Sequence, residues 1–207
     1  MNRALRTLTV PAAAVAVLAL SACGNGDSPD SMGSMSGQGS MGSTSSVTTA
    51  AQQNEADVSF ATGMIPHHQQ AVQMADLALK QSSTQEVKSL ATKIKQAQDH
   101  EIQTMSSWLK AWGKPVPTGM SGGMEGMSMD GMMTEQEMNE LAKATDVAFD
   151  RMWLTMMVKH HQGAVKMAET EVANGQNADA KRLAQEIIRA QNAEITEMTR
   201  LLNGAQG

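Results

Sequence analysis

Met64-Ile65-Pro66-His67-His68-Gln69-Gln70-Ala71-Val72-Gln73-Met74-Ala75 is one of two copies of a single pattern in this chain. The other is Met157-Val158-Lys159-His160-His161-Gln162-Gly163-Ala164-Val165-Lys166-Met167-Ala168, 93 residues later. The offset holds upstream, where Asp57 and Phe60 return as Asp150 and Trp153. It also holds downstream, where Leu90, Ile94, Ala97, Gln98, Glu101, Ile102 and Met105 return as Leu183, Ile187, Ala190, Gln191, Glu194, Ile195 and Met198. A duplicated fold needs its apolar positions to recur. It does not need a His-His pair to recur at a fixed distance from a Met and an Asp. The repeat holds four of the five histidines, so it bears on chemistry as well as architecture.

Helical periodicity places the repeated residues. At 100° per residue, Asp57, Phe60, Met64, His68, Ala71 and Ala75 share one face of a helix over about Asn54 to Gln81, with His67 at its edge. Pro66 is expected to kink that helix or open a new one. Ser83-Thr84-Gln85-Glu86 offers a capping box for a second helix that stops near Trp112, before Gly113 and Pro115. A third starts at Thr134, with Glu137 completing a capping box, and runs to about Ala173 with a break near Thr145. A fourth covers about Asn177 to Leu202. The second helix carries a core stripe of Leu90, Ile94, Ala97, Glu101, Met105 and Trp108. The fourth repeats it as Leu183, Ile187, Ala190, Glu194, Met198 and Leu201. Each half is a helical hairpin with one apolar face that it cannot bury alone. Two such halves predict an all-α four-helix bundle built from two repeated hairpins.

The ends have different compositions. Arg3 and Arg6 precede an apolar stretch, Val10 to Leu20, that is too short to span a bilayer. It ends in Leu20-Ser21-Ala22-Cys23, which resembles a bacterial lipobox and holds the only cysteine. The expectation is a lipoprotein signal peptide over residues 1–22, with export and lipidation of Cys23. One cysteine excludes a disulfide framework and a thiolate metal site. Residues 23–52 form a Ser/Gly/Met tether, and residues 53–204 the bundle, with repeats at 53–112 and 134–204 joined by a Met-rich linker at 113–133. Without Arg3 and Arg6, 14 basic residues face 21 acidic ones, a formal charge of −7. That balance argues against nucleic acid and against an electrostatic grip on anionic lipid. The membrane partner would be reached through the lipid on Cys23.

The core stripe holds a carboxylate in each half. A buried carboxylate is costly unless paired, and His68 and His161 face the core with Glu101 and Glu194. Met64 and His68 are four residues apart on one face, as are Met157 and His161. Imidazole with thioether and no thiolate suits copper, Cu(I) especially. His67 and His160 can join from the edge, and Glu101 and Glu194 can ligate or orient the imidazoles. Asp57 and Asp150 lie about 16 Å along the helix from these histidines. Helix capping or an ion pair is expected of them. Met120, Met124, Met127, Met129, Met132 and Met133 lie in a Gly/Ser-rich stretch with no evident core to fill, which points to capture of soft metal ions. His100 has no repeat partner and is expected at the surface or a helix end.

These two histidine blocks resemble the signature blocks of the bacterial family called domain of unknown function 305, over roughly Asn54 to Leu202. The resemblance implies a ferritin-like helical bundle, export and, for some members, copper handling. Di-iron sites of ferritin-like proteins use Glu-x-x-His pairs, and this chain has none. The reading is an exported, lipid-anchored copper-binding protein that sequesters the ion or passes it to a delivery partner, without turnover. Two alternatives remain at this stage: a ferritin-like metal oxidoreductase, and a metal-free interaction module whose His–Glu pairs only fix the core.

Overall fold

The computed structural model describes residues 52–119 and 130–204. The signal segment, Cys23 and the tether up to residue 51 lie outside them, as do Met120, Met124, Met127 and Met129. The described chain forms α1 (Glu55–Gln81), α2 (Gln85–Ala111), α3 (Glu135–Lys143), α4 (Asp146–Asn174) and α5 (Ala178–Gly204). The four long helices are those the repeat predicts. The short α3 is separate because the chain breaks at Ala144 and Thr145, and Asp146 takes a φ of 53°. Aspartate tolerates that left-handed conformation better than most residues. None of the described helices is long and apolar enough to cross a membrane.

Local chemistry sets most helix ends. Asn54 and Asp57 form a capping box on α1, and Thr134 and Glu137 form the expected one on α3. The box expected at Ser83 and Glu86 does not form. α2 starts from Thr84 without a side-chain cap, and Ser83 donates its hydroxyl to Asp150 at 2.7 Å. A carboxylate from the other hairpin outcompetes the local cap. Pro66 opens no new helix: α1 is continuous through it. Pro66 is buried, so tertiary packing holds a turn that has lost one backbone donor.

Hydrogen bonds at the helix ends fix the topology. Asn54 Nδ2 donates to the Asn174 carbonyl at 2.8 Å, and the Asp57 carboxylate accepts from the backbone of Gln176 and Asn177 at 3.0 and 2.9 Å. The start of α1 therefore meets the end of α4. The end of α1 meets the start of α4 through Ser83 and Asp150, and between them Trp153 Nε1 donates to the Met74 carbonyl at 2.8 Å. α1 and α4 are antiparallel and form the inner pair. α2 packs on α1 and α5 on α4, while α2 and α5 meet only along a thin seam. Asp57 and Asp150 are thus helix-end ties, each binding one hairpin to the loop of the other.

The core has two apolar clusters separated by a polar waist. One contains Met74, Leu90, Ile94, Phe149, Trp153, Met157 and Met198. The other contains Phe60, Met64, Ile65, Met105, Leu109 and Ile187. Between them, at matching levels of the four long helices, lie buried His67, His68, Gln70, Gln98, His160, His161 and Gln191. The expected stripe is corrected here in both halves. Ala97 and Ala190 are exposed, and the amides beside them, Gln98 and Gln191, are buried. The inward positions on α2 run Val87, Leu90, Ala91, Ile94, Gln98, Met105 and Leu109, so a glutamine takes the place an alanine was expected to hold.

Candidate metal centre

His67 and His160 meet where α1 crosses α4. Their ring centroids are 3.9 Å apart with planes inclined at 45°, and both residues are buried. The expected edge position of His67 is corrected. α1 packs on both α2 and α4, so its buried face is wider than one hairpin requires. His68 and His161 turn toward their own hairpins. His68 Nε2 lies 2.7 Å from Glu101 Oε2, and His161 Nε2 lies 2.8 Å from Glu194 Oε2. The two carboxylate side chains are 15% and 20% exposed, so each pair runs from the buried waist toward solvent. The His160 and His161 centroids are 6.5 Å apart, so the pairs and the crossing form one contiguous cluster.

Burial keeps the inner imidazoles neutral. It is the main cause that pushes His67 down to about 3, with the neighbouring His68 and His161 adding to it and the Asp130 carbonyl opposing. His160 is held well below the ordinary histidine range, first by burial and then by His67, His161 and His68, with the His67 backbone opposing. Neutral imidazole is the metal-binding form.

The ring nitrogens follow one scheme. A neutral imidazole that donates from Nε2 carries its lone pair on Nδ1. His68 and His161 have a carboxylate at Nε2, and His67 has the Asp130 carbonyl there at 3.2 Å. These partners assign the tautomer. Nδ1 of all three is buried and has no partner among the described residues, and neither nitrogen of His160 has one. Each buried, unpaired acceptor costs about 1–3 kcal/mol. Neutral His160 carries its proton on one nitrogen, so four such acceptors and one N–H donor lie at one level of the core, and a bound cation would relieve the acceptors. Among the described residues, no three His, Cys, Asp or Glu side chains are already set around a single point. The donors are assembled but not closed into a shell.

The other predicted residues divide. Met64 and Met157 are fully buried, one in each apolar cluster, on either side of the histidine layer. Met132 is half-buried and Met133 is buried in the first cluster, so Met133 does fill a core. His100 is exposed on α2, as expected for a residue without a repeat partner. Sequence reasoning missed the waist glutamines. Gln98 has both amide atoms buried without a partner among the described residues, and Gln191 has its amide oxygen so. The signal was present, because Gln98 and Gln191 recur at the same 93-residue offset as the histidines.

Two kinds of comparison place the fold. The sequence profile of the family described as Domain of unknown function (DUF305) matches residues 57–202. The chain belongs to this family. A DUF305 protein from Streptomyces coelicolor, described as secreted, is 34% identical over 73% of this chain and 93% of its own, with a TM-score of 0.67. A DUF305 fragment from Deinococcus radiodurans is 32% identical over 72% of this chain and 97% of its own, with a TM-score of 0.66. The protein CopM in its Cu(II)-bound form is 38% identical over 72% of this chain and 96% of its own, with a TM-score of 0.62. CopM is also similar in Cu(I)-bound and Ag-bound forms. A comparison with curated proteins found no match. The all-α bundle of this DUF305 chain is therefore the fold of its family.

Proposed function

We propose that this DUF305 protein binds copper at the histidine waist and sequesters it or passes it on. The observation that carries the reading is the set of bare ring nitrogens: Nδ1 of His67, His68 and His161, with both nitrogens of His160. In this reading Glu101, Glu194 and the Asp130 carbonyl orient imidazoles through Nε2, as outer partners commonly do at metal sites. Met64 and Met157 lie one turn from His68 and His161 and would supply soft donors that favour Cu(I). CopM, 38% identical, has been crystallised with both copper oxidation states and with silver, which supports the choice of metal. Met120, Met124, Met127, Met129, Met132 and Met133 would serve as a secondary capture segment, with Met133 also anchoring it in the core. Export, with a lipid on Cys23 as the membrane anchor, completes the reading, and the delivery partner would be a second metal-binding protein.

A second reading has an observation of its own. The His68–Glu101 and His161–Glu194 pairs are well formed without metal, as expected of a structural core pair. It gives no role to His160, whose two nitrogens have no partner among the described residues.

The test is competition for Cu(I) against a chromophoric chelator, using the chain without its signal and Cys23. Tight binding is expected, lost when His67, His68, His160 and His161 are all alanine in a variant still helical by circular dichroism. Equal binding by both proteins would move copper to the linker methionines. No binding by either would leave the second reading.

A further inference from the structure

The two halves of the repeat differ at one pair of waist positions. Gln70 in the first copy corresponds to Gly163 in the second. Both face the same short segment, Asp130 to Met133, where the chain returns from the linker to the bundle. The Gln70 side chain clamps the backbone of Met133 from both sides: its Nε2 donates to the Met133 carbonyl at 2.8 Å, and its Oε1 accepts from the Met133 amide at 2.7 Å. Gly163 leaves room for the segment. A Cβ there would overlap the Asp130 carbonyl. Gly131 has a φ of +85°, and a Cβ on it would lie 2.7 Å from the Lys159 carbonyl and 3.0 Å from that of His160. Only two facing glycines allow such an approach. Lys166 pairs with the Asp130 carboxylate at the outer edge, and Met133 plugs into the core at the inner edge.

The segment ends on the cluster. His67 Nε2 faces the Asp130 carbonyl at 3.2 Å, a backbone acceptor where His68 and His161 have carboxylates. The backbone does for His67 what Glu101 and Glu194 do for the other two. His160, across the crossing, has the His67 backbone beside it but makes no well-formed hydrogen bond among the described residues. The departure of Gln70 and Gly163 from the repeat thus makes the two inner histidines unequal.

We propose that Asp130–Met133 is a positioning strap for the metal site, which sets the ring and tautomer of His67 so that its Nδ1 faces the cluster. The inference rests on the copper reading above and deepens it. If the strap must be docked for His67 to ligate, strap docking and metal occupancy are linked, and linkage is reciprocal. Metal binding should then slow hydrogen exchange at the Met133 amide, and undocking the strap should weaken metal binding by the same factor.

Two variants undock the strap by different means. Gln70→Ala removes the clamp, and Gly163→Ala fills the space under Asp130. The first readout needs no metal. Long-range ¹H–¹⁵N NMR of the imidazoles should show His67 protonated at Nε2 in the parent and a mixed tautomer in both variants, with His68 and His161 unchanged. The second is Cu(I) competition, where loss of such an outer partner should cost about 10–100-fold in affinity. The third is Met133 amide exchange with and without Ag(I). A parent His67 protonated at Nδ1 would overturn the proposal. So would parental Cu(I) affinity in both variants alongside loss of binding in the four-histidine variant, and the copper reading would then survive. Failure of the parent to bind Cu(I) would instead remove the copper reading. The tautomer measurement would still report on the strap.

Discussion

Glu171 is a buried carboxyl at the far end of the inner helix pair. It is 1% exposed, beside Asp57, and the adjoining Gly175 has no room for a Cβ because the Glu171 carboxyl occupies it. Neither Glu171 oxygen makes a well-formed hydrogen bond among the described residues. Asp57 holds the negative charge there. The backbone amides of Asn54, Gln176 and Asn177 bring its pKa below the usual range against the opposing effect of burial. Burial, then the hydrogen bonding and charge of Asp57, push Glu171 up to about 8. The repeat gives no counterpart, because alanine stands at position 78. An acid raised in the folded state is stabilising only while both states are protonated. Its contribution is full below the unfolded value near 4.5, falls as pH rises, and levels off above the folded value of about 8. The loss is at most about 1.4 kcal/mol per pH unit, or on the order of 3 kcal/mol by pH 7. Glu171→Gln keeps the shape and removes the titration. Urea unfolding of both proteins by circular dichroism, from pH 5 to 9, should show the variant gaining on the parent by a few kcal/mol up to pH 8 and no further. His67 and His160 stay neutral in the folded state of both proteins over this range, and their protonation on unfolding is common to both and cancels in the difference. A difference that is flat with pH, or a variant less stable than the parent at pH 8, would refute the assignment.

Asp57→Ala should cost about 2–4 kcal/mol, since three backbone donors lose their acceptor, whereas Asp150→Ala, which among the described residues frees the Ser83 hydroxyl, should cost about 1 kcal/mol. Urea midpoints of the two variants test the asymmetry. Met133→Ala should cost about 2–4 kcal/mol as a core truncation, and Met132→Ala, at a half-buried site, clearly less. Thermal unfolding without metal separates the two, and equal small effects would contradict the placement of Met133. Trp153→Phe should cost about 1–3 kcal/mol, because the Met74 carbonyl loses its indole donor and the core loses volume. Chemical denaturation with an unchanged m-value would check it.

Much of this molecule was legible because it is written twice. Apolar spacing located the four long helices, and the fixed offset paired them into hairpins. The capping box at Thr134 and Glu137 marked the start of α3 correctly. What sequence reasoning missed depends on contacts between hairpins. Ser83 abandons its cap for Asp150, and His67 moves from the edge to the centre because α4 covers a second face of α1. Hydrophobicity favoured Ala97 over Gln98 for the inward position, yet the waist is polar because it holds the histidines. The strap was hidden for the opposite reason. Gln70 and Gly163 differ between the copies, and a search for repeats passes over the positions where they disagree. The methionine-rich composition of the linker also masked the core role of Met133.

X-ray absorption at the copper edge tests the central claim most directly, on the chain without its signal and Cys23, loaded with one equivalent of Cu(I). The histidine waist predicts nitrogen neighbours with the outer-shell scattering of imidazole, lost when the four paired histidines are alanine. A shell of sulfur alone, unchanged in that variant, would place the ion on methionine and leave the waist a structural feature.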